Sequence, residues 1–404
     1  MKAICILCLT AALACAQATL SLNQAVEEAT GKHPDVASAE ARVAVARAAR
    51  VQATLLPNPR LFLQTENTRF WGSPAFSFPN DTDNFLYLSQ VLERGDKRER
   101  RTESADALIR RAEADRDVTR RRIAAQVSSA YWAAAAAQMV ARLIAQDAAA
   151  FDTLVQYHRD RVREGAMAEV DLLRILLERD RLTIAVRNAE QDARRAGIEL
   201  QRAMGRREFV PLTLTDIPPT PPDAQEPEAR AAFQARVDMA AARQAIEEAR
   251  SRLRLEEANS KQDPEALFGY KRTSGYDTLI AGLQINLPLR NRNQGRIAGA
   301  VAEIRLAEQE LRSMESRIAA DIALAWSDTD SKRRLLTDVL VPMRDRAQEI
   351  ARIAQAAYRE GGTDLLRLID AERSRLEAVT TYYRALADYQ QALTNLQIVT
   401  GGPL

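Results

Sequence analysis

Beyond its first fifteen residues the sequence has no cysteine, and its 404 residues include only two histidines, His33 and His158. A disulfide framework and a soft-metal site of the usual Cys/His kind are therefore excluded for the rest of the chain. Aromatic residues make up 5%, and glycine and proline number 15 each, a mixture that favours long helices over a compact α/β domain. An excess of one charge is lacking too. Lys and Arg number 57 against 55 Asp and Glu, a formal net charge of +2, so there is no basic field for nucleic acid and no acidic tail. After the start of the chain no run of roughly 18 uncharged apolar residues occurs, so no helical membrane span is encoded. The motifs HExxH, GxxxxGK(S/T) and GxSxG are absent, and the two histidines are far apart. Neither an enzyme nor a cofactor or metal site is expected.

Residues 1–18 read as a secretory signal peptide. Lys2 precedes an apolar run from Ala3 to Ala14, and Ala14-Cys15-Ala16 or Ala16-Gln17-Ala18 supplies a small-x-small cleavage site. Cys5, Cys8 and Cys15 all lie within it. Cleavage before Cys15 with lipidation of that residue is the alternative, although Ala12-Leu13-Ala14 departs from the Leu-small-small approach such cleavage uses.

The rest of the chain is duplicated. Arg163-Glu164-Gly165 and Arg359-Glu360-Gly361 stand 196 positions apart, as do Gly205 and Gly401, and Trp132 and Trp326 stand 194 apart. Several matches in one order at one spacing identify an internal repeat. Between the halves, six prolines from Pro211 to Pro227 exclude a continuing helix. The expected organisation is a first repeat at 19–205, a Pro-rich linker at 206–227 and a second repeat at 228–404.

Each repeat reads as helix, two strands, long helix, turn and returning helix. In the first, Asp35–Leu56 is helical between Pro34 and Pro57, and Arg60–Glu66 and Asn84–Glu93 read as strands. Lys97–Arg163 then runs 67 residues without glycine or proline, roughly 100 Å at 1.5 Å per residue. Arg296–Glu360 repeats this with Gly299 inside it and with Pro342, where a kink is expected. Ile123, Val127, Ala130, Ala134, Ala137, Ala141, Ile144, Ala148, Phe151, Val155, His158 and Val162 step by three and four, a coiled-coil seam in which His158 is read as packed. Leu336, Leu340, Met343, Ala347, Ile350, Ala354 and Ala357 keep the same rhythm. A simple dimeric coiled coil would satisfy the helices and leave the strands unexplained.

In the stretch Leu279–Leu287, Leu279, Ala281, Leu283, Ile285 and Leu287 share one face, while Gly282, Gln284 and Asn286 lie on the other. A half-buried sheet on a soluble core gives this alternation, and so does the wall of an outer-membrane barrel, whose strands need roughly 9 to 11 residues. Four strands cannot close a barrel, for which about eight is the practical minimum, so membrane strands here would require several chains. The loop Asn67–Asp83 carries Phe70, Trp71, Phe76 and Phe78, suited to an interfacial girdle. Basic clusters follow the strands: Arg94, Lys97, Arg98, Arg100 and Arg101, then Arg290, Arg292 and Arg296, placed to meet lipid phosphates or simply solvated.

This duplicated order, with YREGGTDLLRLIDAERSRLEA and LPLRNRNQGRIAGA, resembles the TolC family of outer-membrane efflux channels from Leu20 to Gly401. NRNQGRIA at Asn291–Ala298 is most similar to the CzcC-type branch serving cobalt, zinc and cadmium exporters. The resemblance implies a mainly α fold with a small membrane β-barrel part: a homotrimer giving four strands per protomer to a 12-stranded barrel in outer-membrane lipid and its helices to a periplasmic tunnel. It implies a passive conduit for heavy-metal cations, partnered by a periplasmic adaptor, or membrane fusion protein, and an inner-membrane pump of the RND type. The linker, with the C-terminal residues, would form a belt around the tunnel. The adaptor would dock at the tips Arg163, Glu164 and Gly165 and Arg359, Glu360, Gly361 and Gly362. The family's gate tyrosine and inner constriction aspartate fall on Tyr358 and Asp370, whereas Thr363 and Arg367 replace the gate arginine and outer aspartate. A ring mixing Asp370 and Arg367 is expected in their place, against an ordinary pair of helix-surface charges. Multidrug efflux, type I protein secretion and a pore-less periplasmic coiled-coil adaptor are the alternative functions.

Overall fold

A computed structural model of the chain describes residues 18–68, 71, 75–216, 235–273 and 275–402. The signal peptide through Gln17, including Cys15, lies outside the described residues, as do Phe70 and residues 217–234 of the linker. In chain order the elements are β1 (Ala18–Leu20), α1 (Leu22–Lys32), α2 (Pro34–Ala53), β2 (Arg60–Glu66), α3 (Phe78–Asp81), β3 (Asp83–Val91), α4 (Lys97–Arg163), α5 (Glu169–Ala203), β4 (Leu212–Leu214), α6 (Val237–Asn259), β5 (Glu265–Thr273), β6 (Tyr276–Gln284), α7 (Gln294–Arg334), a π-helical segment (Leu335–Leu340), α8 (Val341–Arg359) and α9 (Leu365–Thr400). They fall into two compact units. One takes Met1–Val36, Arg120–Ala235 and Ala319–Leu404; the other takes Ala37–Thr119 and Arg236–Ile318.

The second of these units holds an antiparallel sheet in the order β2-β3-β5-β6. Its register lines up Leu63, Leu86, Tyr270 and Leu279 in one cross-strand row and Leu61, Leu88, Phe268 and Ala281 in the next. All eight are exposed, so four strands present one continuous apolar face to their surroundings. The opposite face is mixed, with Gln64, Phe85, Lys271 and Thr278 in one row. Phe62 stacks on Tyr87 at 4.9 Å, and Tyr87 pairs with Gly269. A Cβ at Gly269 would lie 2.2 Å from the Leu86 carbonyl oxygen, so glycine is what lets β5 approach β3 here.

The expected bounds of two elements need correction, and the basic cluster gains partners within the chain. Ile285 and Leu287 lie beyond β6, which ends at Gln284 opposite Glu265. The partner β5 starts directly after Pro264, which has no N–H to donate, so the alternation in the sequence outruns the ladder. The first basic cluster is largely engaged within the chain. Lys97 donates to Asp263 and to the Lys261 carbonyl, Arg98 to the Thr54 carbonyl, Arg100 to Glu103, and Arg101 to Glu93. Lys97, Arg98 and Arg101 thus pin neighbouring loops, while Arg100 pairs within α4. The helix read at Asp35–Leu56 includes Pro34 and stops at Ala53.

In the other unit, β1 pairs with β4 in parallel, and the Tyr131 hydroxyl bridges the Leu20 carbonyl and Asp216 over a core of Leu20, Val36, Ile123, Val127 and Leu200. Ser21 and Gln24 form a capping box at the start of α1, a helix that the sequence pattern does not separate. The seam residues of α4 from Ile123 to Val162 are all buried or half-buried. Of the second seam, Leu336, Leu340 and Ala347 are buried, but Met343 and Ile350 are exposed. Pro342 acts as anticipated in place but not in kind. The helix accommodates it by widening just before it, the Val341 N–H reaching back to the Leu336 carbonyl in the i to i−5 pattern.

Candidate gate at the helical turns

α4 and α5 form one hairpin and α8 and α9 another, each closed by the same backbone device. Gly165 has φ 72°, and the N–H of Ala166 bonds the Arg161 carbonyl; Gly361 has φ 75°, and the N–H of Gly362 bonds the Ala357 carbonyl. Both are Schellman turns, which need a residue in the left-handed region and so select glycine. Arg163, Glu164, Arg359, Glu360, Gly361 and Gly362 are exposed around these turns, with Arg163 paired to Asp160 at 2.7 Å. The returning helices start differently. Asp364 caps α9 by accepting from the Arg367 N–H at 2.9 Å, whereas Ala168 gives α5 no side-chain cap.

Near the turns the hairpins meet over a core of Phe151, Val155, Ile175, Leu365 and Ile369, with Tyr358 packed against it. Three polar links join them. His158 on α4 is fully buried. Its Nδ1 lies 2.7 Å from the Leu154 carbonyl oxygen and its Nε2 lies 2.5 Å from the Tyr358 hydroxyl, with the rings stacked at 5.7 Å. A carbonyl only accepts, so Nδ1 carries the proton and Nε2 accepts from the tyrosine. Burial pushes the imidazole below its ordinary value, against the favourable Leu154 carbonyl, and pushes the Tyr358 phenol up. Both groups are therefore neutral here. The second link is Glu178 on α5 with both ends of the Arg373 guanidinium on α9; that hydrogen bonding holds the Glu178 carboxyl below its usual range despite burial. The third is Asp147 on α4 with Arg375 on α9 at 2.8 Å. Between the helices lies a cavity of about 600 Å³ lined by Phe151, Leu182, Leu368 and Leu376 among others.

Asp370 and Arg367 are exposed on one face of α9, beside Arg174 and Arg181 of α5. No ion pair joins the two among the described residues; the charge of Asp370 acts instead on Arg373, which it helps keep protonated. Tyr358 is thus brought to His158, while Asp370 and Arg367 face outward from the chain. Sequence reasoning singles out Tyr358 but not its partner, 200 positions away. Glu178 and Arg373 are missed for the same reason. The one available signal is the placement of a histidine on an otherwise apolar seam.

Paired helical hairpins in one unit, and in the other a sheet with an exposed apolar face, are more than a simple coiled coil contains. Comparison with known proteins makes this particular. The model of the family described as outer membrane efflux protein matches residues 25–206. Over 395 residues the chain is 22% identical to the cobalt-zinc-cadmium resistance protein CzcC of Cupriavidus metallidurans, covering 95% of this chain and 90% of that protein. It is similar in fold to the outer-membrane channel OprN, with a TM-score of 0.74 at 21% identity over 95% of this chain and 90% of that one. The open state of the MtrE outer membrane channel of Neisseria gonorrhoeae gives 0.73 at 18% identity over 94% and 89%. Along nearly the whole chain the fold is that of these outer-membrane channels.

Proposed function

We propose that three copies of this chain form one passive conduit that carries heavy-metal cations outward, coupled through a periplasmic adaptor to an inner-membrane pump of the RND type. The observation that carries the assembly is the four-stranded sheet. β2 and β6 have one strand partner each among the described residues, and unpaired edges are not tolerated in lipid, so other copies must complete the wall. The helices support this. Val170, Leu173, Leu177 and Ile184 form an exposed apolar stripe on α5, and Ile350 and Ile353 form another on α8, as faces covered by neighbouring copies would. Likeness to CzcC along nearly the whole chain supports metal cargo. The exposed tips, from Arg163 to Gly165 and from Arg359 to Gly362, suit adaptor docking because they are short turns at the ends of stiff helices.

Asp370 and Arg367 of the three copies form the mixed ring at the constriction, and Tyr358 belongs to the gate behind it. Deleting the gene should sensitise cells to cobalt, zinc and cadmium; sensitisation to drugs alone would overturn the metal assignment. In planar bilayers Asp370→Ala should change single-channel conductance and cation preference, and unchanged values would remove the ring.

A further inference from the structure

The hairpins are held together where the gate tyrosine lies, and the group that holds it is a histidine. We infer that His158 is a second gate residue: its hydrogen bond to Tyr358 is a latch between the two hairpins, and protonation of His158 releases that latch, so the channel opens more readily in acid. This rests on the channel reading above and adds its regulation.

The geometry allows one stable arrangement. With Nδ1–H committed to the Leu154 carbonyl, Nε2 is the acceptor that the Tyr358 hydroxyl uses. A proton on Nε2 turns that acceptor into a donor. The hydroxyl must then rotate to accept, and its own hydrogen loses its acceptor, since among the described residues no other side-chain or backbone atom accepts from it. The new charge also sits at a site with 0% exposure in the single chain, so neighbouring copies cannot solvate it.

The groups facing the imidazole do not compensate. On α4, Arg161 repels a positive ring and Tyr157 meets it edge-on at 5.2 Å. From α5 Asp171 favours the charge, but it is already paired with Arg174 at 3.3 Å. From α8 comes Tyr358, and from α9 the apolar Leu365 and Ile369 of the surrounding core. The closed form therefore holds a proton more weakly than an opened one, in which the imidazole regains an ordinary value of about 6.5. Closure is fully favoured above that pH. It is lost as pH falls below it, by up to about tenfold per pH unit, until the lower closed-state value is reached.

The test is open probability of the purified full-length protein in planar bilayers between pH 8 and pH 5. The native channel and His33→Gln, which alters the other histidine, should open up to about tenfold more per unit below about pH 6.5. His158→Gln, which keeps an acceptor but cannot titrate, should be flat; a native slope in His158→Gln overturns the latch. Should that variant fail to assemble, imidazole nitrogen NMR on the native protein and Tyr358→Phe decides. The His158 titration should lie below its ordinary value and move up when the hydroxyl is removed, and an ordinary value in both overturns the inference. Absence of conductance from every variant at every pH would instead sink the channel reading, whereas conductance with a flat native profile sinks only the latch.

Discussion

The first hairpin reaches its turn through 67 unbroken helical residues, whereas the second arrives through a π-helical segment and a proline, yet both end in the same left-handed glycine. The same holds where the returning helices end, at Gly205 and Gly401, both with φ 77°. Duplication thus preserved the turns, whose backbone angles leave little choice of residue, and let the shafts diverge. The divergence has a direction. The unbroken shaft carries the buried histidine, and the widened one carries the tyrosine that bonds it, so the two meet in one contact and are not redundant copies.

The turns themselves give the largest expected difference. A Cβ at Gly205 would lie 2.7 Å from His33 Cδ2 and 2.8 Å from Pro34 Cδ, whereas Gly165 and Gly361 have nothing within 4 Å. Gly205→Ala should cost about 3 kcal/mol, strain and overlap together, and Gly165→Ala or Gly361→Ala about 1 kcal/mol from strain alone. Thermal unfolding of the detergent-solubilised protein would rank them, and equal losses would mean that overlap is irrelevant. Next comes the link between the hairpins. Glu178→Ala strands Arg373, which is half in water and can rehydrate, so about 2 kcal/mol is expected. Because that pairing lowers the Glu178 carboxyl, its contribution is present above about pH 4.3 and lost as pH falls through the lower paired value, a more acidic window than that of His158. Acid melting of native and Glu178→Gln proteins checks the sign: the native protein should lose the greater stability. The smallest effect lies in the caps. Asp364→Ala should loosen the start of α9 by about 1 kcal/mol, and Ala168→Asp should tighten α5 by a similar amount, read as amide exchange in each first turn. If both helices respond alike, the asymmetry of the hairpins does not extend to their caps.

Much of the fold is legible without coordinates. β2 at Arg60–Glu66 and α4 at Lys97–Arg163 have the bounds that alternation and the absence of glycine and proline indicate. These are local signals, and they fail where pairing decides. The apolar alternation through Ile285 and Leu287 persists after the ladder has lost its partner at Pro264, a residue distant in sequence. Lys97 and Arg101 look like free charges until Asp263 and Glu93 are seen beside them. The candidate gate is legible only by halves. Tyr358 stands in a motif, but the Glu178–Arg373 and His158–Tyr358 contacts join residues about two hundred positions apart, and no helical period encodes them. Pro342 announces an irregularity without saying whether the helix will bend or widen.

In the proposed trimer, a wall whose strands are finished by sister molecules makes each subunit answerable for the others. In a cell making equal amounts of native and latch-defective chains, random threefold association leaves roughly one assembly in eight free of the defect. A single altered gene copy would therefore weaken most of the pores, and its phenotype would be dominant.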